Sequence, residues 1–590
     1  MTLFTNKAFR AVACGVLLCA TAAGLFSYTV HMRRPWFGTT GTLDAGLATG
    51  TLLAARQWYR EGMVGVGAGI FRNPRSIEFP TLRSREVNSS YPPGTLLPIH
   101  CLSRLAGHEP TTALIAVYNL FTHFAIALLL SMMTFVLLRQ MHYDYWSATL
   151  LSLIPIVLEL LLPAPLYHHQ MGFFPEQAVM ILFAAYIFIE VLRDSVCDRR
   201  WRGLLSILQA AVAFLGILTD WLFALIALCV YLKRVARREF GRGLVCFVKG
   251  SVAFWFSFGL AIALFAVQLF ALGQGGALWK KFVLRAGMSG RKPLSLHLFI
   301  RFWQRHMVRG YGDLGIALLW ASLLFFVAVL AYGCVRLLLR RKVNQDTSRV
   351  LGVVFMVLAP CFLHALFLRN HCAHPFHYFT ALKFSVPLAT VPFVLAPVLA
   401  LSCLGADMRG FSAANLRALV TRRPCSSTPR WSFLPIVLLA LTVGYVYAES
   451  PRILPQFKRT VPDTGKRAIA EFIAENTQYE DVVFSPHRDL EQTISPLYLA
   501  FSMKRVYVAS KLKYVYEKLQ PIAGDYVVNV LVKAESPSPK DSGMRRLLSR
   551  AYDTADGPGV RLYKVRKRDF LALCGELGVG QAQERPAARP

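Results

Sequence analysis

The chain has 590 residues, 55% of them hydrophobic, with a mean hydropathy of +0.43 and a formal net charge of +32. Ordinary soluble proteins hold about 45–50% apolar residues, and here apolar runs long enough to cross a bilayer core of about 30 Å recur along the whole sequence. A soluble globular protein is therefore excluded. So is nucleic acid as the partner of the basic charge, because the 65 Lys and Arg are scattered between apolar runs rather than gathered on one surface.

The expected class is mainly α: a polytopic bundle of about eleven spans with a small C-terminal extracytoplasmic α/β domain. The first span, near 11–30, follows Lys7 and Arg10 and is longer than the core of a usual signal peptide, so it is expected to stay uncleaved. The others are expected near 113–138, 146–166, 174–192, 203–219, 221–232, 243–272, 314–335, 350–367, 384–403 and 432–448. The fifth and sixth are short enough to form one broken helix pair. Most of the 12 cysteines lie within these runs and read as small packing residues, with no spacing that suggests a disulfide framework.

Loop charge sets the orientation. The connections at 193–202, 233–242 and 336–349 carry four, five and five Lys or Arg, and the 404–431 connection adds Arg409, Arg417, Arg422, Arg423 and Arg430. Basic short loops are cytoplasmic, which puts the N-terminus inside and the 449–590 segment outside. In that segment "DVVFS", "RVYVA" and "DYVVNVLVK" read as strands and "GKRAIAEFIAE" as an amphipathic helix. The boundaries expected are 1–450 for the membrane domain, with a long first outer loop at 31–112, 451–570 for the α/β domain and 571–590 for a tail.

Five outer segments then collect the chain's unusual polar residues. The first loop supplies Asp44, about a dozen residues past the first span, and the stiff turn Tyr91-Pro92-Pro93-Gly94, in which two prolines fix φ. Asp44 reads either as a general base or as a helix cap. "YHHQMGFFPEQ" brings His168, His169 and Glu176 to the same face, and a carboxylate at the start of a span needs a partner. "LTDW" puts Asp220 at the tip of a tight hairpin. Segment 273–313 is basic, with Lys280, Lys281, Arg285, Arg291 and Lys292 interleaved with apolar residues. That pattern suits an interfacial segment that meets anionic head groups, by lipid anchoring or by binding a phosphate. "LRNHCAHPFHYF" adds Arg369, His371, His374 and His377. The His and Cys spacing in that stretch admits a divalent metal, but hydrogen bonding to a polar or phosphorylated substrate is the preferred reading, with no cofactor.

Taken in order, the acid after the first span, "YPPG", "YHHQ…PEQ", "LTDW" and "NHCAHPFHYF…P" resemble the GT-C superfamily of integral membrane glycosyltransferases. The branch resembled is that of protein mannosyltransferases and aminoarabinose transferases, and the likeness covers roughly residues 1–450. It implies transfer of a sugar from a polyprenyl-phosphate carrier to a glycan, lipid or protein acceptor on the outer face. Asp44 would be the catalytic base and Glu176 the second acid. The family often has two adjacent acids after the first span, where this chain has Asp44-Ala45, and its second acid is often Asp. A multi-pass transporter or lipid flippase is the competing class, but the sequence has no internal repeat and its polar residues gather at one face. An inactive scaffold is the third.

Overall fold

The structure is a computed structural model that describes residues 7–37, 39–41, 45–237, 244–286, 288, 295–338, 345–373, 378–404, 433–458, 460–462, 464–487, 506–509, 511–522, 525–534, 539 and 541–579. Helices dominate the first three-quarters of the chain. In order they are α1 (Lys7–Arg33), α2 (Ala45–Glu61), α3 (Leu97–Ala106), α4 (Thr112–Gln140), α5 (Tyr145–Leu161), α6 (Pro163–Met171), α7 (Pro175–Ser195), α8 (Arg199–Ile217), α9 (Leu222–Ala236), α10 (Leu244–Ala271), α11 (Ala277–Arg285), α12 (Leu296–Leu338), α13 (Gln345–Phe367), α14 (Arg369–Ala373), α15 (Ser385–Thr390), α16 (Ala396–Leu404) and α17 (Leu434–Glu449).

Among the described residues nine helices are long and apolar enough to cross a bilayer, and the pair α5 and α6, bent by 53°, makes a tenth. The bend falls at Pro163, which cannot continue a helix hydrogen-bond ladder. Helix α9, at 15 residues, is about 22 Å long and shorter than the bilayer core. It occupies the position of the remaining expected span. This is a multi-pass membrane protein.

Segment 273–313 is helical in part: α11 lies within it, and α12 starts at Leu296 but is broken just before the span expected from residue 314. Arg301, Arg305 and Arg309 are therefore helical. The helix breaks at Gly312, whose φ of 70° and ψ of 176° suit glycine. The Glu449 carboxylate occupies the space a Cβ would need. Tyr445 of α17 closes the break by donating to the Tyr311 carbonyl at 2.8 Å.

Polar contacts fix which helix ends lie together. Gln140 at the end of α4 donates to the Val191 carbonyl, Arg349 near the start of α13 donates to the Gln140 carbonyl, and Arg237 after α9 donates to the Ser348 carbonyl. The ends of α4, α7 and α9 and the start of α13 therefore lie together.

The segment after α17 folds back on the first long loop. β1 (Thr39–Gly41) pairs antiparallel with β2 (Thr460–Pro462). A five-stranded sheet follows, built from β3 (Val483–Ser485), β4 (Val506–Val508), β5 (Val527–Lys533), β6 (Asp553–Gly557) and β7 (Val560–Arg566) in the order β4-β3-β5-β7-β6. The β3 pairs are parallel and the β5–β7–β6 pairs antiparallel. The hairpin β6–β7 turns at Gly559, with φ 72°. One face of the domain shares a core with the loop: Trp58, Phe71 and Ile99 pack with Phe472, Ile473 and Leu562, and Phe173 of the α6–α7 turn joins them. The loop, the α/β domain and the entrance to α7 are thereby held as one apolar unit.

Candidate functional site

The "YPPG" turn docks on the "LTDW" corner. Gly94 donates to the Leu218 carbonyl at 2.6 Å, and Trp221 Nε1 donates to the Ser90 carbonyl at 3.2 Å. A Cβ on Gly94 would strike the Leu218 carbonyl, so the approach requires glycine. The docking sends the Tyr91 ring inward, where it is buried.

Tyr91 meets Glu176, the second residue of α7. Pro175 opens that helix, and a carboxylate at a helix N-terminus gains from the exposed N–H groups and the dipole. The Tyr91 hydroxyl donates to Glu176 Oε1. His371 Nε2 lies 3.0 Å from the same oxygen and 3.2 Å from the hydroxyl. A carboxylate only accepts, which assigns the ring proton to Nε2. Burial, with the Glu176 charge added, raises the Tyr91 hydroxyl well above the ordinary tyrosine range, and the Arg285 guanidinium opposes that shift. Arg285, the last residue of α11, stands 4.2 Å from the Tyr91 ring centroid, a cation–π contact. Asn370 holds α11 in place by donating to the Leu284 carbonyl at 2.9 Å.

Asp220 completes the group. Its carboxylate caps α9 by accepting from the Leu222 N–H at 2.7 Å. Burial raises its carboxyl above the usual range, and Lys383 opposes the rise. Lys383 Nζ stands between the acids, 3.7 Å from Asp220 and 3.9 Å from Glu176. Its nearest polar neighbour is neutral: His364 Nε2 at 3.1 Å. The ammonium donates there, so the His364 proton sits on Nδ1, 3.7 Å from Cys372 Sγ.

The structure thus brings together Glu176, Asp220, Arg285 and His371 of the residues expected from sequence, each from a different outer segment, with Tyr91 from the first. It separates His168 and His169 from them. His169 accepts from Gln177 at 3.1 Å, stacks on His123 at 4.8 Å and lies 3.9 Å from Glu159, in a second polar group between α4, α5 and α6. His168 is buried against the edges of Tyr167 and Phe174. Lys280 is exposed and Lys281 half-buried on α11, and Arg369 is half-buried at the start of α14. Asp44, Arg291, Lys292, His374 and His377 lie outside the described residues. Among the described residues no group of three His, Cys, Asp or Glu is placed to hold a metal.

Sequence reasoning missed Lys383 and His364 and read Tyr91 only as part of a turn. The signal for Lys383 was present. It is the single charged residue between Tyr378 and Cys403, and a lone charge at a span is a functional marker.

Fold and site together define a multi-pass helical membrane protein with a buried polar centre at one end of its helices. No protein-family model and no curated protein matches the chain. Among solved structures it is similar to the oligosaccharyltransferase of Archaeoglobus fulgidus in the apo form, with 12% identity, 90% of this chain and 70% of that one covered, and a TM-score of 0.49. It is also similar to ArnT from Cupriavidus metallidurans in the apo state, with 10% identity, 95% and 99% coverage and a TM-score of 0.49. Against the same protein bound to undecaprenyl phosphate the values are 12%, 93%, 97% and 0.47.

Proposed function

We propose that this protein is a membrane glycosyltransferase that moves a sugar from a polyprenyl-phosphate carrier to an acceptor at the extracytoplasmic face. The observation that carries the reading is the meeting of five separate segments on Tyr91, Glu176, Asp220, Arg285 and His371, around a buried lysine that is not closely paired. A phosphate carrier needs cations that can turn to it as it leaves, and Lys383 and Arg285 supply them. Lys280 and Lys281, on the same helix as Arg285, and Arg291, Lys292 and Arg369 meet the head group as it approaches through the interface. His374 and His377 join them as hydrogen-bond donors.

In the step proposed, the acceptor's nucleophilic atom attacks the anomeric carbon and its proton passes to Asp44. The bond from that carbon to the phosphate oxygen breaks, and the polyprenyl phosphate leaves with the bonding pair. Glu176, held by Tyr91 and His371, fixes the sugar or the acceptor through hydrogen bonds. The GT-C resemblance gives the same roles to an acid after the first span and an acid in the second outer segment. The test is purified protein with radiolabelled polyprenyl-phosphate sugars and a lipid extract as acceptor. Wild type should label the acceptor fraction, and Asp44→Asn should lower the rate by about 10²–10⁴. Full turnover in Asp44→Asn removes the base from the mechanism. Carrier that crosses the bilayer with no label transferred makes the protein a flippase.

A further inference from the structure

A groove of about 620 Å³ runs between α12 and α17, lined by Leu314, Leu318, Phe393, Val437, Gly444 and Ala448, among others. That volume is within the range of small-ligand sites, about 300–1,000 Å³. The lining is apolar apart from the Tyr445 hydroxyl, which is committed to the Tyr311 carbonyl. Val437 and Ala448 are eleven residues apart on α17, which is about 17 Å along the helix. Half of a bilayer core is about 15 Å, so the groove has the length of one leaflet. Water needs two or more polar partners to stay in such a space, and hydrocarbon needs none. A lipid chain is the occupant this lining suits.

The mouth of the groove selects the head group. Asp313 precedes Leu314, and Glu449 and Arg452 follow Ala448. Arg452 Nε lies 2.7 Å from Glu449 Oε2, and Nη1 donates to the Val308 carbonyl at 3.1 Å. Nη2 lies 3.6 Å from Asp313 Oδ2, beyond hydrogen-bond length. Asp313 keeps 83% of its side chain exposed and has no other ion pair among the described residues. Two carboxylates thus share one guanidinium, and an unspent acceptor stands beside an unspent donor. A primary ammonium and a phosphate joined by a short linker match that pair, the ammonium on Asp313 and the phosphate on Nη2. A bare polyprenyl phosphate does not match it, because it brings no cation and meets an extra carboxylate.

The groove also touches the polar centre through one strut. Tyr445 holds the Tyr311 carbonyl, and the Tyr311 hydroxyl donates at 2.7 Å to the Ala381 carbonyl, two residues before Lys383. The mouth therefore stands at the end of the bundle that holds the polar centre. Phe393 and Tyr445 stack at 5.8 Å, which forms that side of the groove before a chain arrives. Space remains beside them: a Cβ on Gly444 would meet no atom of the described residues within 4 Å.

We propose that this groove holds an acyl chain of an amine-headed phospholipid, with the ammonium on Asp313 and the phosphate on Arg452. The experiment is native mass spectrometry of the full-length protein in detergent, titrated with dioleoylphosphatidylethanolamine and, separately, with dioleoylphosphatidylglycerol. The first phosphatidylethanolamine should bind about tenfold or more tightly than the first phosphatidylglycerol, at the scale of one charge-assisted hydrogen bond. Asp313→Asn, at a largely exposed side chain, should bring the two lipids to within about threefold of each other. Gly444→Leu fills the groove from α17 and should weaken the first phosphatidylethanolamine by about tenfold or more. Its melting temperature should not fall, since leucine is the better helix former. Equal affinities in wild type, a preference unchanged in Asp313→Asn, or a first lipid unaffected by Gly444→Leu overturns the site. Undecaprenyl phosphate that displaces phosphatidylethanolamine at equal concentration also overturns it, by giving the groove to the carrier's chain. The titration needs no turnover, so a null result here leaves the transfer reading standing, and a failed transfer assay leaves the lipid site standing.

Discussion

Helix α7 carries a buried glutamate near each end, and the two are treated in opposite ways. Glu190 is saturated with cations: Lys233 at 2.7 Å, Arg234 at 2.5 Å and Arg193 at 3.2 Å, with Gln209 donating as well. Neighbouring Asp194 binds Lys233 and Arg237, each at 2.8 Å. Glu176, about 21 Å away along the helix, is held by Tyr91 and His371, and its one lysine stands 3.9 Å off. The first arrangement locks three helices, α7, α8 and α9, together and leaves its charges nothing further to do. The second keeps an ammonium within reach of an incoming anion. A buried charge that must receive a substrate cannot already be tightly paired, whereas one that only holds helices together must be.

The sharpest way to break this comparison is to show that the two ends do not face opposite sides of a membrane. In a background without other cysteines, Val64→Cys and Tyr552→Cys, both exposed, should react fully with an impermeant thiol reagent in intact cells. Native Cys197, exposed among the basic connections, should not react until the cells are opened. The reverse pattern would remove the proposed face of transfer.

Next in size is Glu176→Gln. It keeps the shape and the contact with the Tyr91 hydroxyl but removes the charge between His371 and Lys383. Transfer should fall by about 10²–10⁴ while the melting temperature changes little, as a single-turnover assay and a thermal melt would show. Glu190→Ala should do the opposite. It leaves Lys233 and Arg234 buried without their main partner, and should cost about 3–5 kcal/mol of stability. The rate per folded molecule should not change. If both variants lose mainly stability, or both mainly rate, the distinction between the two ends fails.

The smallest effect expected is Asp220→Asn. Burial raises the Asp220 carboxyl, with Lys383 opposing, so the fold disfavours the ionised form. An acid raised in this way contributes fully below its unfolded value, about 3.9, and that contribution is lost as pH rises through the folded value. Asparagine never ionises. The variant should therefore melt slightly above wild type at neutral pH, on the order of 1–2 °C, and the gap should close as pH falls toward the ordinary carboxylate range. A variant that melts below wild type at neutral pH, with the difference vanishing in acid, would mean that Lys383 stabilises the ionised form more than burial disfavours it.

Much of this was legible in the sequence because membrane crossing is a strong constraint. The spans followed from apolar length, and the loop charges sorted the connections. That sorting alone put Glu176, Asp220, Arg285 and His371 in one group. What it could not sort was depth. His169 shares a loop with Glu176, yet the bend at Pro163 turns it toward His123 and Glu159. Lys383 was missed because it sits in the 3₁₀ turn Tyr378–Phe384, which runs directly into the next apolar run and so reads as its edge. Tyr91 was read as turn geometry, since nothing local says which way its ring points. The docking of Gly94 on Leu218 decides that, across more than a hundred residues. The strands of the α/β domain showed as β-branched runs, but β6, "DTADG", has no such pattern and forms because β7 is there to pair with it.

The pairing of β1 with β2 has a consequence for the order of events during synthesis. The two strands lie roughly 420 residues apart, which at about 5–20 residues per second separates their emergence by roughly 20–80 s. Through that interval the strand that leads to Asp44 has no partner, because its partner follows the last span. Only a chain extended past α17 can clasp the loop, so the pairing of β1 follows synthesis of every membrane helix described.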